Sequence, residues 1–246
     1  MTVTAEERAL RVELAALYRI FHHLGWSELV YNHISARVPG PEHHFLINPY
    51  GLFYDEVTAS NLVKVDLEGQ IVGPSEHPVN PAGFVIHAAI HAARPDVRVV
   101  AHTHTTAGSV IACQAEGLRH DNFYSCILTD RVAYHDFEGI TVRPDEQPRL
   151  VASLGEHDFL ILRNHGLLTC GADVASCFLN HWVMQRACEI QAATDAAGGD
   201  TIPVSPEAQA ASKHAVQHMF SQSGYGRLEF AAWMRRVDAI DPSYRE

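Results

Sequence analysis

Apolar side chains open the chain at Leu10, Leu14, Leu17, Phe21 and Leu24, in steps of four and three. That spacing lays them on one face of a helix, which Thr4 and Glu7 start in the form of a capping box and Gly25 closes. The period then changes. Ile34, Ala36 and Val38 alternate with Ser35 and Arg37, and Phe45-Leu46-Ile47 runs into Asn48-Pro49-Tyr50-Gly51, so two strands and a turn are expected. Segments 61–66 and 70–73 read as a hairpin closed through Glu68-Gly69. Asn80-Pro81 opens a helix that runs to about Ala93, where Arg94-Pro95 stops it.

From Val97 the residues are mostly β-branched or small, and the run ends in His102-Thr103-His104, the pattern of a buried strand that finishes in working side chains. A short helix is expected over 106–116, an aromatic loop at Asn122-Phe123-Tyr124, and short strands over 131–136 and 140–142 about Glu138-Gly139. A helix over 147–154 leads into Phe159–Leu162, a second apolar run, which delivers Arg163-Asn164-His165-Gly166. A long helix over 173–197 closes at Gly198-Gly199. Two more helices, 207–221 and 228–237, form a C-terminal helical extension from about residue 203 of a single domain spanning 1–246.

Side chains alternate faces along a strand, so His102 and His104 project to one side, roughly 7 Å apart at Cα, and their imidazoles can converge on one metal ion. A lone histidine at a strand end is more often a hydrogen-bonded core residue. His165, at the end of a second buried strand, turns the balance toward a three-nitrogen site, with Gly166 letting the backbone pass close by. His87 and His91 sit four apart and share a helix face, from which either reaches the site or serves packing. His214 and His218 repeat the spacing and read as a solvated or interface face.

Composition narrows the choices. No Pro/Ser/Gly-rich linker divides the 246 residues, which favours one large domain. No apolar run approaches the roughly 20 residues that span a bilayer, and MTVTAEERALRVE lacks the basic start and apolar stretch of a signal peptide. The 5 cysteines are scattered without a C-x-x-C pair and read as reduced thiols of a cytoplasmic protein. A formal charge of -11 argues against nucleic acid or an anionic membrane as partner, whereas 17 histidines make metal or proton-transfer chemistry easier to credit.

Taken together, YNHISAR (31–37), FLINPYGLFYDEVTASNLVKVD (45–66), NPAGFVIHAAIHAARPDV (80–97), HTHT (102–105), AYHDFEGI (133–140), LILRNHGLLTCG (160–171) and DPSYR (241–245) span nearly the whole chain. They resemble the class II aldolase and adducin family, its adducin-like branch above all. The resemblance implies an α/β fold, a three-layer α/β/α domain around a mixed, largely antiparallel central sheet, and a homotetramer with active sites between subunits. It also implies that His102, His104 and His165 hold a divalent metal, zinc first and manganese or iron as alternatives, which polarises a bound substrate as a carbon–carbon bond breaks. His33, Asn48, Gly51 and Phe84 are then expected to bind substrate. Tyr124 is the nearest counterpart of a proton-donating tyrosine of the aldolases, with a packing role about as good an account, and His87 would orient a ligand or shuttle a proton.

The chain also departs from the aldolases. Their Ser-Ser-Glu motif, with its acid/base carboxylate, is replaced by Pro81-Ala82-Gly83, and their phosphate-binding Asn by His33. The expected activity is therefore a lyase, by retro-aldol cleavage or decarboxylation, acting on a small, non-phosphorylated oxo-, hydroxy- or hydroxy-aromatic acid. A non-haem iron oxygenase on the same fold and a non-catalytic adducin-like scaffold head are the competing expectations.

Overall fold

A computed structural model describes residues 3–221 and 224–246. Seven strands, β1 (His33–Arg37), β2 (Phe45–Ile47), β3 (Val63–Val65), β4 (Val99–Thr103), β5 (Val132–His135), β6 (Phe159–Leu162) and β7 (Gly166–Gly171), form one sheet in the order β3-β2-β1-β4-β7-β6-β5. Every neighbouring pair is antiparallel except β5 with β6. The helices are α1 (Ala5–His23), α2 (Pro81–Ala93), α3 (Thr106–Cys113), α4 (Phe123–Ile127), α5 (Gln147–Leu154), α6 (Val174–Ala197), α7 (Pro206–Ser221) and α8 (Arg227–Ile240).

Alternation along β4 divides the interior. Val99 and Ala101 enter a core with Leu14 and Leu17 of α1 and Phe178 of α6, while Val100 enters another with Ile86 and Ile90 of α2 and Leu150 of α5. Both faces of the sheet are therefore covered, as strands buried on both sides require. This is the three-layer arrangement the sequence implied, with a mixed and mostly antiparallel sheet. No helix among the described residues is long and apolar enough to cross a membrane.

Local signals set most boundaries. Thr4 Oγ1 accepts from Glu7 N–H at 3.1 Å, but the Glu7 carboxylate does not complete the capping box: it accepts from Arg11 Nε at 3.0 Å and Lys64 Nζ at 2.9 Å, tying α1 to β3. Asn80 caps α2 through the Ala82 N–H at 3.1 Å. The hairpin expected over 61–66 and 70–73 reduces to one bridge, Val65 to Ile71. The aromatic loop at 122–124 is instead the start of α4, whose first N–H groups Asn122 caps. Segment 140–142 forms no strand, and Gly166–Gly171, assigned no element from sequence, is the strand β7 that pairs β4 with β6. The tail returns to the N-terminal half: Arg19 Nη1 donates to Asp241 at 2.7 Å, and Tyr244 is fully buried, its carbonyl accepting from Ala59 N–H at 2.8 Å.

Candidate metal centre

His102 lies near the end of β4 on the same face as Val100, and His104 follows two residues later on that face. Thr103 points the other way, where its hydroxyl meets His181 Nε2 at 2.9 Å. His165 occupies the turn between β6 and β7. The pairing of Thr103 with Leu167 sets that turn beside the end of β4. Asn164 makes the turn with φ 56, and α3 holds it, since Asn164 N–H donates to Ala112 O at 3.0 Å and Ser109 Oγ to His165 O at 3.1 Å. A Cβ on Gly166 would fall 2.2 Å from the Thr103 carbonyl oxygen, so only glycine lets the two backbones approach this closely.

Three ring nitrogens converge as a result. His104 Nε2 is 2.8 Å from His102 Nε2 and 2.9 Å from His165 Nε2. His102 Nδ1 lies 2.8 Å from the Leu167 carbonyl, an acceptor only, so Nδ1 carries the proton of the neutral ring and Nε2 presents a bare lone pair. One ring nitrogen offers one proton or one lone pair, so His104 Nε2 cannot hydrogen-bond to both neighbours. A cation among the three nitrogens is the partner that suits all of them. Burial disfavours the charged form of these rings, lowering the pKa of His102 and His104 and bringing His165 down to about 4. The donor set thus fits a divalent ion that accepts imidazole nitrogen.

Two of the three, His104 and His165, line a cavity of about 950 Å³, and His102 lies fully buried behind them. Tyr31, Tyr50, Val110, Phe137 and Ile140 form much of its wall. Among the described residues no lysine or arginine lines it, and Glu28 is its one charged side chain.

His33 also lines the cavity, its ring centroid 4.9 Å from that of His102. Its Nδ1 is 2.7 Å from His87 Nε2; His87 Nδ1 is 2.5 Å from Ser35 Oγ, which is 2.7 Å from His91 Nε2. All four side chains are buried.

The remaining expected site residues lie elsewhere. His87 stands behind His33 and off the cavity wall. Asn48 is held inside, its N–H donating to the Tyr18 hydroxyl at 3.1 Å and its Nδ2 to Asn32 O at 3.4 Å. Gly51 supplies a turn at φ 105. Phe84 stacks on Phe45 at 6.2 Å. Tyr124 packs with the α3 and α6 core, with Arg186 5.9 Å above its ring, and does not line this cavity in the single chain. Sequence reasoning passed over Ser35, although its place two residues after His33 on β1 puts both on one face, opposite the paired histidines of α2. Ile140 and Val142 it read as strand residues rather than as cavity wall.

Residues 12–192 match the family described as Class II Aldolase and Adducin N-terminal domain. The chain is 43% identical to an aldolase II superfamily protein from Pseudomonas syringae of known structure, covering 99% of this chain and 98% of that one with a TM-score of 0.95. An L-fuculose 1-phosphate aldolase from Glaciozyma antarctica superposes with a TM-score of 0.86 at 30% identity, over 100% and 95% of the two chains. Alpha-adducin of Mus musculus is 46% identical over 196 residues, 78% of this chain and 26% of the adducin. Fold, histidine cluster and relatives agree, and the chain belongs to the class II aldolase and adducin family.

Proposed function

We propose that the protein is a divalent-metal-dependent carbon–carbon lyase acting, by retro-aldol cleavage or decarboxylation, on a small, non-phosphorylated oxo-, hydroxy- or hydroxy-aromatic acid. The observation that carries this reading is the convergence of the His102, His104 and His165 Nε2 atoms at a cavity whose lining, among the described residues, holds no lysine or arginine. His102, His104 and His165 would hold the ion, zinc first and manganese or iron as alternatives. Bound there, it supplies Lewis acidity, stabilising negative charge on a substrate oxygen as the bond breaks. Leu167 fixes the tautomer of His102, and the apolar wall offers contact to the carbon skeleton of a small acid. A phosphate would find no cationic partner in this wall, so sugar phosphates are poor candidates.

Cytoplasmic location and a homotetramer complete the proposal. Support for further subunits comes from bare apolar side chains such as Phe123, 76% exposed, and Leu228, 83% exposed.

The test is metal analysis of protein purified without added metal, then assay of the zinc, manganese and iron forms for cleavage or carbon dioxide release across 2-oxo, 2-hydroxy and hydroxyaryl acids. Turnover that disappears in His102→Ala supports the lyase. Oxygen uptake by the iron form would replace it with the oxygenase. A protein that binds metal and turns over none of these acids fits the scaffold reading, which the match to alpha-adducin favours.

A further inference from the structure

Cleavage of a carbon–carbon bond leaves the electron pair of that bond on carbon, which must then take up a proton, and the retro-aldol direction also needs a base for the substrate hydroxyl. The cavity wall offers few groups for either task. From α2 it receives Asn80, Pro81, Ala82 and Ile86, none of which ionises. His104 and His165 would be occupied with the ion. His33 is almost wholly buried, its Nδ1 taken up by His87 at 2.7 Å. Tyr31, Tyr50 and Cys113 bring O–H and S–H groups, which are donors in their ordinary form. Glu28 is the one carboxylate in the wall.

We infer that Glu28 is the general acid–base of this site, the carboxylate that takes a proton from the substrate and returns one to the carbon where the bond has broken. The inference rests on the metal-dependent lyase reading of the cavity. Glu28 lines the same cavity as His104 and His165 but stands outside the set of ligand atoms that lie within 4.8 Å of one another, so it borders the centre without completing the metal's shell. Burial lowers the pKa of His104 and the Glu28 charge opposes that effect, so the carboxylate is felt at the ring. Its side chain is also open to solvent, from which a proton given up can be replaced.

The chain holds this exposed carboxylate in place. Trp26, two residues before it, is buried against Phe21 with ring centroids 5.1 Å apart, and its N–H donates to the Phe21 carbonyl at 2.9 Å. His33, five residues after it, opens β1. Between these anchors, Glu28 to Tyr31 form a turn closed by the Tyr31 N–H on the Glu28 carbonyl at 3.0 Å, with Leu29 at φ 46. Left-handed backbone is unfavourable for leucine, and Leu29 is 57% exposed, so burial of its side chain does not account for the conformation. The turn brings its first and last residues, Glu28 and Tyr31, to one cavity.

The protons balance. In retro-aldol cleavage the Glu28 carboxylate takes the proton of the substrate hydroxyl, whose oxygen becomes a carbonyl as the C–C bond breaks. The electron pair of that bond stays with the acid fragment, and the Glu28 carboxyl gives the proton to its carbon. In decarboxylation the pair stays on carbon as carbon dioxide leaves, the Glu28 carboxyl supplies the proton, and solvent supplies the next.

The test uses zinc-loaded protein in D2O with pyruvate as the probe, a two-oxygen acid with protons next to its carbonyl. The wild type should exchange the pyruvate methyl protons for deuterium faster than free zinc does, followed by 1H NMR. Glu28→Gln should slow this exchange by about 100-fold or more and Glu28→Asp should keep part of it. Zinc affinity should stay within about tenfold of the wild type in both, since no ligand is lost. A second readout needs no turnover. In protein labelled with 13C at glutamate Cδ, with Glu28→Gln assigning the signal, zinc should move the titration midpoint of Glu28 to lower pH, because a cation nearby favours the carboxylate. Exchange in Glu28→Gln equal to the wild type, no exchange by a wild type that binds zinc, or a Glu28 midpoint that zinc leaves in place each overturns the inference. A wild type that binds no zinc overturns the metal reading itself, and this role of Glu28 with it.

Discussion

Gly83 and His33 are complementary in shape: a Cβ built on the glycine falls 2.5 Å from the imidazole Cδ2. Glycine therefore stands inside α2 because a ring from β1 takes the space, and an acidic side chain at this position would have to displace that ring. In an ordinary helix interior Gly→Ala is stabilising by about 0.5–1 kcal/mol. Here Gly83→Ala is expected to destabilise by about 1–3 kcal/mol through overpacking, read from the urea unfolding midpoint. The double variant with His33→Ala should recover part of that loss, and strict additivity of the two would show that the contact carries no strain.

Behind the three-histidine cluster, His181 joins its two supporting strands. Its Nε2 is 2.9 Å from Thr103 Oγ1 on β4, and its Nδ1 is 2.9 Å from Thr169 Oγ1 on β7. All three side chains are fully buried. His181→Phe keeps an aromatic ring but takes the imidazole partner from both hydroxyls, leaving Thr169 only Cys177 Sγ at 3.9 Å. A loss of about 2–4 kcal/mol is expected in chemical denaturation, and one below about 0.5 kcal/mol would mean the threonines pair elsewhere.

The Glu7 carboxylate should appear in the acid limb of the stability curve. Burial raises its pKa, but hydrogen bonds from Lys64 and Arg11 outweigh that, and the net displacement is downward from 4.5. A group whose pKa is lower folded than unfolded contributes stability above its unfolded value and loses it as pH falls through the folded one. Glu7→Gln is thus expected to cost about 2 kcal/mol at pH 7 and to flatten the decline in stability below pH 4.5. Parallel acid titrations of the two proteins, followed by circular dichroism, would contradict this.

Tyr244 makes the tail part of the fold. It is fully buried, and its hydroxyl donates to Asp238 Oδ1 at 2.5 Å. Its backbone carbonyl pairs with Ala59, and the following Glu246 carbonyl accepts from Ser60 N–H at 2.8 Å. Tyr244→Ala is expected to lower stability by about 3–5 kcal/mol, measured as a fall in melting temperature. Tyr244→Phe, which keeps the ring, should cost about 1 kcal/mol.

Much of the fold was legible because its signals are local. The four-and-three spacing of Leu10 to Leu24, the Asn80-Pro81 start of α2 and the β-branched run into His102 each specify an element through contacts within a few residues. The metal-site expectation was legible for a related reason: strand alternation alone puts His102 and His104 on one side, and the structure adds His165 to them. Segment 140–142 misled, since Ile140, Thr141 and Val142 have strand-like composition but find no neighbouring strand; Thr141 Oγ1 instead donates to the buried Glu146 at 3.1 Å. Gly166–Gly171 escaped notice because glycines at both ends mask a strand whose stability comes from pairing on both edges.

The sequence by itself determined which side chains share a face: His33 with Ser35, His87 with His91, His102 with His104. Tertiary structure decided which faces meet. It set β7 rather than β6 against β4, brought the His165 turn to His102 and His104, and aimed the α2 histidines at Ser35 rather than at the cavity. It also set Asn48 against Tyr18 and the Phe84 ring against Phe45. Periodicity is a property of a few consecutive residues and can be read along the chain; the meeting of two faces depends on the packing of every element between them, and that exists only in the folded molecule.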